Sequence, residues 1–183
     1  MASTLKIDTV TTPDGTGNIT FSRPITTASG AGAGKVIQIK YNSQTGLVSG
    51  STTIPLDDTI PQNDEGVDAS MDLAITPASA SNRLLINVSA TASASGGGGV
   101  CVALFQDSTA NALACAFSYL HHASYPIGTI AFAHDMVAGT TSATTFKVRF
   151  GSHTGTSYLN NEGAARRYGG TCTTSITIFE YSI

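Results

Sequence analysis

Two adjacent histidines, His121 and His122, are the first side chains in the sequence that could do chemistry. Imidazole nitrogens bind transition metals, but neighbouring residues of a strand point to opposite faces, so the pair is a poor chelate within one chain. One histidine from each of three symmetric chains could hold a metal on a shared axis. The simpler interpretation is a polar loop beside Tyr119, Tyr125 and Pro126. We predict no metal site in the single chain.

Motifs of enzyme active sites are missing from the sequence. It contains no Gly-x-Ser-x-Gly nucleophile elbow and no His-Glu-x-x-His zinc motif. The glycine-rich stretches 30–34 and 96–99 precede no helical pattern and no Gly-Lys-Ser/Thr, so they indicate a linker and a hairpin tip rather than phosphate-binding loops. We therefore predict a protein that is not an enzyme, with no catalytic residue and no cofactor.

Half of the 12 acidic residues lie within sixteen positions: Asp57, Asp58, Asp64, Glu65, Asp68 and Asp72. Calcium sites need several oxygen ligands, and the EF-hand spacing of such ligands is absent here. A solvated acidic loop is the simpler interpretation, and a cation site is the alternative.

The clustered positive charge is Arg166-Arg167, followed by Tyr168, in a stretch flanked by Gly163 and by Gly169-Gly170. Arginine and tyrosine together are typical of binding hot spots, so sugars or acidic groups could dock there. We group Arg166, Arg167 and Tyr168 with Tyr119 and Tyr125 as a candidate receptor-binding set. The alternative is an ion pair with the acidic stretch, within one subunit or between subunits.

Composition narrows the class of protein further. The 183 residues carry a net charge of −3 with nine scattered Lys and Arg residues, so we expect no nucleic-acid partner. No apolar run approaches the roughly 18 residues of a membrane span, and the first residues lack a signal peptide's apolar core. Charged residues are only 11%, which indicates a surface partly covered by partner chains.

Three cysteines, Cys101, Cys115 and Cys172, form an odd set without a close pair. We predict small buried side chains rather than a disulfide or a reactive thiol, which remain the alternatives. Synthesis in a cytoplasm fits this cysteine usage.

Alternation of apolar and polar residues dominates the chain and predicts an all-β fold. From residue 51 onward, turn signals separate seven candidate strands, at 71–76, 83–91, 100–106, 112–120, 128–136, 144–150 and 171–181. Within 83–91, Leu84, Ile86 and Val88 point to one face and Leu85 and Asn87 to the other. This spacing predicts an antiparallel, jelly-roll-like β-sandwich.

Three shorter strands, at 6–10, 18–22 and 35–41, precede this sandwich. We predict a β-rich N-terminal segment over residues 1–41, a linker over 42–50 and a β-sandwich head domain over 51–183. The chain shows no coiled-coil heptad and no repeat that would build a shaft.

The last strand is apolar on both faces. Ile176 and Ile178 lie on one face, and Phe179, Tyr181 and Ile183 on the other. A strand of this kind needs cover on both sides. One side is the domain's own core, and we predict that Phe179, Tyr181 and Ile183 contact a neighbouring copy. Burial under a loop of the same chain is the alternative.

Residues 3–10 and 14–21 resemble the opening of many tailed-bacteriophage fibre and appendage proteins. Residues 54–62, 103–114 and 138–149 resemble a β-sandwich module found on phage virions. The resemblance implies a jelly-roll domain, usually trimeric, on the virion surface, and it carries no catalytic residues. It also implies that the N-terminal segment docks onto other virion proteins of the capsid or tail through Leu5, Ile7, Val10, Ile19 and Phe21.

The expected function is a non-enzymatic structural protein of a tailed-phage virion, made in the host bacterial cytoplasm. It would be a short homotrimeric surface knob, a capsid head fibre or decoration or a tail appendage, whose head faces outward and contacts the host surface. The alternative is a receptor-binding, carbohydrate-binding tip of a tail fibre that takes a host surface glycan. A carbohydrate-binding module outside any virion is a further alternative.

Overall fold

Strands and turns, with no α-helix, make up residues 34–95, 98–119, 125 and 127–182, which are the residues that the computed structural model describes. The thirteen strands within these ranges are β1 (Val36–Gln44), β2 (Val48–Gly50), β3 (Val67–Asp68), β4 (Leu73–Ile75), β5 (Arg83–Ala94), β6 (Val100–Gln106), β7 (Ala114–Ser118), β8 (Ile127–Val137), β9 (Thr144–Ser152), β10 (Ser157–Leu159), β11 (Asn161–Glu162), β12 (Ala165–Arg166) and β13 (Thr174–Tyr181).

The first sheet is built around β5, whose length lets it pair along both edges. On one edge β8 pairs with Arg83–Ser93. On the other edge β13 pairs with Arg83–Ser89, and β10 then pairs with Ala92–Ala94. Strand β1 lies outside β13, and β2 lies outside β10. All these pairings are antiparallel, and β8 and β1 lie at the two sides of the sheet.

The second sheet has β9 and β6 at its centre. Strand β7 pairs with the far side of β6, and β3 and β4 pair in turn with the outer side of β9. The inner faces of the two sheets enclose one core, whose side chains include Phe146, Phe150, Met71 and the alternating residues Leu84, Ile86 and Val88 of β5. The chain is therefore an all-β, antiparallel, jelly-roll-like sandwich, as its periodicity predicts.

Strand β6 is buried on both faces. Val100, Val102 and Leu104 enter the main core, whereas Ala103 and Phe105 pack under Ile54 on the outer side. The segment before β3 therefore covers the outer face of the second sheet. This two-sided burial explains the nearly continuous apolar composition of β6.

The predicted boundary at residue 41 falls inside β1. Strand β1 continues to Gln44 and pairs with β13 over Val36–Tyr181 to Gln44–Thr174, so it belongs to the sandwich. The predicted linker 42–50 contains the end of β1 and the whole of β2. The compact unit begins at Ala33 rather than at residue 51. The predicted strands at 6–10 and 18–22, like Leu5, Ile7, Val10, Ile19 and Phe21, lie outside the described residues.

Glu180 is a charged side chain inside the sandwich and is fully buried. Its carboxylate accepts hydrogen bonds from Asn82 Nδ2 at 2.5 Å, Gln38 Nε2 at 2.6 Å and the Ala78 backbone N–H at 2.8 Å. Burial acts to raise the pKa of Glu180, but these bonds and one from the Ser79 backbone N–H outweigh it, so the pKa lies below its usual value. The carboxylate thereby ties β1 and the loop before β5 to β13.

Within the described residues, no helix has the length and apolar composition that a membrane crossing would require.

Candidate functional site

The outer face of the first sheet exposes apolar side chains on its edge strand. Ile37, Ile39 and Tyr41 of β1 are exposed by 40%, 55% and 60%. Ile39 lies opposite Phe179 of β13, and Phe179 lies opposite Leu85 of β5, so an apolar row crosses three strands. Because Ile176 and Ile178 of β13 are buried in the core, Phe179 must lie on the opposite face, where it is half-buried. We name this surface, defined by Ile39, Tyr41, Leu85, Phe179 and Tyr181, the apolar sheet face.

The charges on the apolar sheet face neutralise each other. Arg83 NH2 lies 2.5 Å from the Asp135 carboxylate, and the Tyr181 hydroxyl donates to the same carboxylate at 3.1 Å. The hydrogen bond from Arg83 holds the pKa of Asp135 below its usual range. The arrangement therefore offers a partner an apolar surface with little net charge.

A shallow depression lies on the same face, between β5, β8 and β13. Its lining residues are mostly small or polar and include Asn87, Ser89, Ala131, Ser175 and Thr177. The face is thus apolar near β1 and recessed near β8. A flat sheet edge beside a recess can accept a complementary surface of another chain.

Two of the three residues predicted to contact a neighbouring copy, Phe179 and Tyr181, lie on the apolar sheet face. The third, Ile183, lies outside the described residues. Sequence patterning assigned Ile39 and Tyr41 to a separate N-terminal segment, because it cannot show that β1 pairs with β13.

The candidate receptor-binding residues Arg166, Arg167 and Tyr168 lie in and just after a small hairpin. Strands β11 and β12 form the hairpin, and Gly163 at its tip has a φ of +58°. Arg167 Nε lies 2.6 Å from Glu162 Oε2, and Arg166 NH2 donates to the Gly169 carbonyl. The ion-pair partner of Arg167 is therefore a residue of its own hairpin, not one of the acidic stretch.

Tyr125 packs against the tip of this hairpin. A Cβ on Gly163 would lie 2.7 Å from the Tyr125 ring, so the ring occupies space that only glycine leaves open. On another side, the Tyr125 ring meets Tyr158 of β10 edge to face, with 5.7 Å between ring centroids. Tyr158 and Glu162 are members of this site that sequence reasoning missed. Local pattern offers no sign that either residue would meet Tyr125.

Tyr119, the fifth candidate residue, packs with a different group of rings. Its centroid lies 5.9 Å from that of Phe117 and 6.2 Å from that of His153, with which it is stacked. His121 and His122 lie outside the described residues.

Phe117 and His153 also border an apolar cavity of about 140 Å³ on the outer side of the second sheet. Its other lining residues include Ile54, Leu56, Cys101 and Cys115. Burial, together with the neighbouring Cys115, raises the pKa of Cys101 to about 12, so this thiol is not an activated nucleophile.

The cysteines are less buried than the sequence predicts. Cys115 is exposed, Cys101 and Cys172 are half-buried, and all three are free thiols. The outer faces of β6 and β7 carry Cys101 and Cys115, and the covering segment reaches β6 more fully than the edge strand β7.

The acidic stretch is used locally to shape its own loop. Asp57 accepts from the Thr59 backbone N–H at 2.9 Å, Asp68 from that of Ser70 at 2.7 Å, and Glu65 from that of Gln62 at 2.9 Å. Within the described part of the chain, no three His, Cys, Asp or Glu side chains converge to hold a metal ion.

Strand order and antiparallel pairing define the chain as a jelly-roll-like β-sandwich domain. No protein-family profile matches it, and no curated protein matches its sequence. Among solved structures, it is similar to Eiger TNF from S. frugiperda, with a TM-score of 0.49 and 12% identity, covering 81% of this chain and 94% of that one. It is also similar to dimeric latent PorU from Porphyromonas gingivalis, with a TM-score of 0.38 and 11% identity, covering 84% of this chain but only 14% of that one.

Proposed function

We propose that this protein is a non-enzymatic structural component of a tailed-phage virion, a short homotrimeric knob on the particle surface. The apolar sheet face carries the assembly part of the proposal, and the resemblance of residues 54–62, 103–114 and 138–149 to a phage β-sandwich module supports the virion part. Exposed apolar patches rimmed by polar residues mark protein–protein contacts. Ile39 and Tyr41 are each more than half exposed on this face, and the charges of Arg83 and Asp135 cancel in their ion pair.

A second copy of the chain fits this surface better than a charged partner. An apolar face without net charge neither attracts a strongly charged protein nor repels its own copy. The low content of charged residues, 11%, also fits a chain whose surface is partly covered by copies of itself. In the proposed assembly, the β1–β13 side of each sandwich faces the shared axis, and residues 1–32 dock onto other virion proteins.

Light scattering on the purified full chain tests the assembly. A trimer has three times the 18.7 kDa mass of one chain, about 56 kDa. A stable monomer would overturn the proposed knob, and a dimer would overturn its threefold symmetry.

A charged substitution locates the interface. Ile39→Glu places a carboxylate on the β1 side of the apolar sheet face, opposite Phe179, and we expect it to release monomers. Ile60→Glu is the matched control, because Ile60 is exposed by 53%, nearly the same as the 55% of Ile39, but lies on the covering segment before β3. Equal masses for the two variants would remove the apolar sheet face from the interface.

Location on the particle requires an independent measurement. Gold-labelled antibodies against the chain should bind intact phage particles, at many capsid positions for a decoration protein or at the tail for an appendage. Particles that carry no label would contradict the virion role and leave the oligomeric state unaffected.

A further inference from the structure

We use the word platform for the β11–β12 hairpin with Tyr125, Tyr158 and Tyr168: Tyr125 packs at the hairpin tip beside Gly163, Arg166 lies on β12, and Arg167 and Tyr168 follow it. Tyr168 is the most exposed of its large side chains, at 84%, and Tyr125 is exposed by 39%. Aromatic faces stack on the C–H groups of sugar rings, and charged side chains bind the hydroxyl and carboxylate groups around the rings. Tyr158, which is half-buried, contacts the Tyr125 ring edge to face with 5.7 Å between ring centroids and so supports it on one side.

Both exposed tyrosines of the platform have left-handed backbone conformations, as do Ser70, Asp107 and Asn160 elsewhere in the described residues. Tyr125 has a φ of +45° and Tyr168 a φ of +48°. A bulky side chain in the left-handed region is a conformational outlier, and such residues cluster at binding sites, where the surrounding structure holds them. Gly163 permits the close approach of Tyr125, and Gly169 and Gly170, with φ of +66° and +79°, permit the sharp turn after Tyr168. The fold thus holds both rings at the surface.

The charge of the platform selects among sugars. Glu162 compensates Arg167 in an ion pair of 2.6 Å. Arg166 is bound to the neutral Gly169 carbonyl and is exposed. The hairpin therefore carries one uncompensated positive charge, although the whole chain carries −3. A carboxylated sugar brings the complementary charge.

We propose that this platform, with Tyr125, Tyr168 and Arg166 as its contact residues, binds carboxylated saccharides such as uronic or sialic acids. Tyr168 and Tyr125 stack on the sugar rings, and the Arg166 guanidinium binds the carboxylate. The platform lies within one chain, so the inference does not depend on the proposed trimer.

Titration of the full chain with two matched pairs of probes tests this inference. Trigalacturonate is compared with its methyl ester, and sialyllactose with lactose, so that each pair differs in its carboxylate. We expect the wild-type protein to bind at least one acidic probe about tenfold more tightly than its uncharged counterpart, the usual effect of one charge-assisted hydrogen bond. Equal affinity within both pairs, or no binding to any probe, would overturn the proposal.

Two variants separate the roles of ring and charge. Tyr168→Ala should lower the affinity for acidic and uncharged sugars alike by about tenfold, because it removes a stacking surface. Arg166→Gln should lower the affinity for the acidic sugars only. Lys40→Ala, which removes another exposed cation, should retain wild-type affinity. Unchanged acidic-sugar affinity in both Tyr168→Ala and Arg166→Gln would exclude this platform.

Folding of each variant is checked by its thermal unfolding midpoint, and its trimer by light scattering. Because the Tyr168 side chain is largely solvent-exposed, its removal should leave both unchanged. Loss of sugar binding in a folded, trimeric variant leaves the proposed assembly intact. A monomeric wild-type protein that still binds the sugar would contradict the assembly but not the sugar site.

Discussion

The Glu180 side chain of β13 connects three parts of the fold, because it accepts hydrogen bonds from β1 and from the loop before β5. A buried carboxylate is tolerated only when hydrogen bonds replace its lost hydration. Asn82, Gln38 and the Ala78 backbone supply those bonds at 2.5, 2.6 and 2.8 Å. The sequence shows an isolated acid in an apolar strand but not its donors. Asn82, Ala78 and Gln38 lie 98, 102 and 142 residues away from it along the chain.

We expect Glu180→Gln to lower the free energy of unfolding by about 2–4 kcal/mol, because an amide NH2 would face the donors that the carboxylate now satisfies. Urea denaturation at neutral pH measures this loss. Glu162→Gln, which breaks the exposed pair with Arg167, is the control and should cost less than about 1 kcal/mol. Equal losses would contradict the role given to the buried carboxylate.

The same residue predicts acid sensitivity. The pKa of Glu180 is lowered in the folded protein from its usual 4.5, so the unfolded chain binds the proton more tightly than the folded one. Its contribution to stability is therefore complete above about pH 4.5 and is lost as pH falls through the folded pKa. Urea midpoints measured from pH 7 downward should fall in that window for the wild-type protein and fall less steeply for Glu180→Gln. Parallel curves would count against this linkage.

A pair of glycines separates backbone strain from contact with Tyr125. Gly163 and Gly169 have nearly equal φ angles of +58° and +66°, but a Cβ on Gly163 would strike the Tyr125 ring, whereas one on Gly169 would meet nothing within 4 Å. We expect Gly169→Ala to cost about 1 kcal/mol for its backbone alone. Gly163→Ala should cost at least about 1 kcal/mol more and change Tyr125 fluorescence or NMR shifts. Equal losses of stability in the two variants would show that the Tyr125 ring moves aside without measurable cost.

At the scale of elements, the longer strands follow from alternation in the sequence. The predicted strand 100–106 matches β6 at both ends, and 83–91 and 128–136 fall inside β5 and β8. Strands β2, β3, β10, β11 and β12 have two or three residues, too few to show a period of two. Pairing between distant strands is invisible to a local pattern, so β1 and the Tyr125 platform could not be placed.

Strand β1 is joined to the rest of the sandwich by side chains as well as by β13. Gln38 and Asn42 donate to the carbonyls of Thr76 at 2.8 Å and Asp72 at 3.2 Å, on either side of β4. Gln44 donates to the Ala69 carbonyl in the same way. These amides connect the edge of the first sheet to the segment around β4, so β1 is part of the domain's stability.

Truncation tests where the domain begins. A chain of residues 33–183 should fold and unfold cooperatively. A chain of residues 51–183, the head predicted from sequence, lacks β1 and β2, so the edge of β13 is unpaired and Glu180 loses Gln38. We expect it to lose at least about 5 kcal/mol, enough to unfold an ordinary domain. Near-UV circular dichroism and urea titration compare the two, and a stable 51–183 chain would support the boundary predicted from the sequence.

At the scale of the whole molecule, the two described surfaces differ in the forces that they can supply. The apolar sheet face carries exposed Ile39 and Tyr41 and a compensated ion pair, whereas the hairpin carries an uncompensated Arg166. Salt weakens attraction between exposed charges but does not weaken the burial of apolar surface. Association through the sheet face and association through charges therefore respond differently to ionic strength.

We expect the mass of the assembly, measured by light scattering, to be the same in about 0.1 M and about 1 M sodium chloride. At the higher concentration the Debye length falls to about 3 Å, which screens attraction between exposed charges but not the burial of apolar surface. Binding of carboxylated saccharides in the same samples should weaken. Dissociation into monomers at high salt would mean that ion pairs join the subunits, with the acidic stretch 57–72 of one copy against Arg166 and Arg167 of the next. In that case Arg166→Gln, rather than Ile39→Glu, would release monomers, so the two variants distinguish the two kinds of interface.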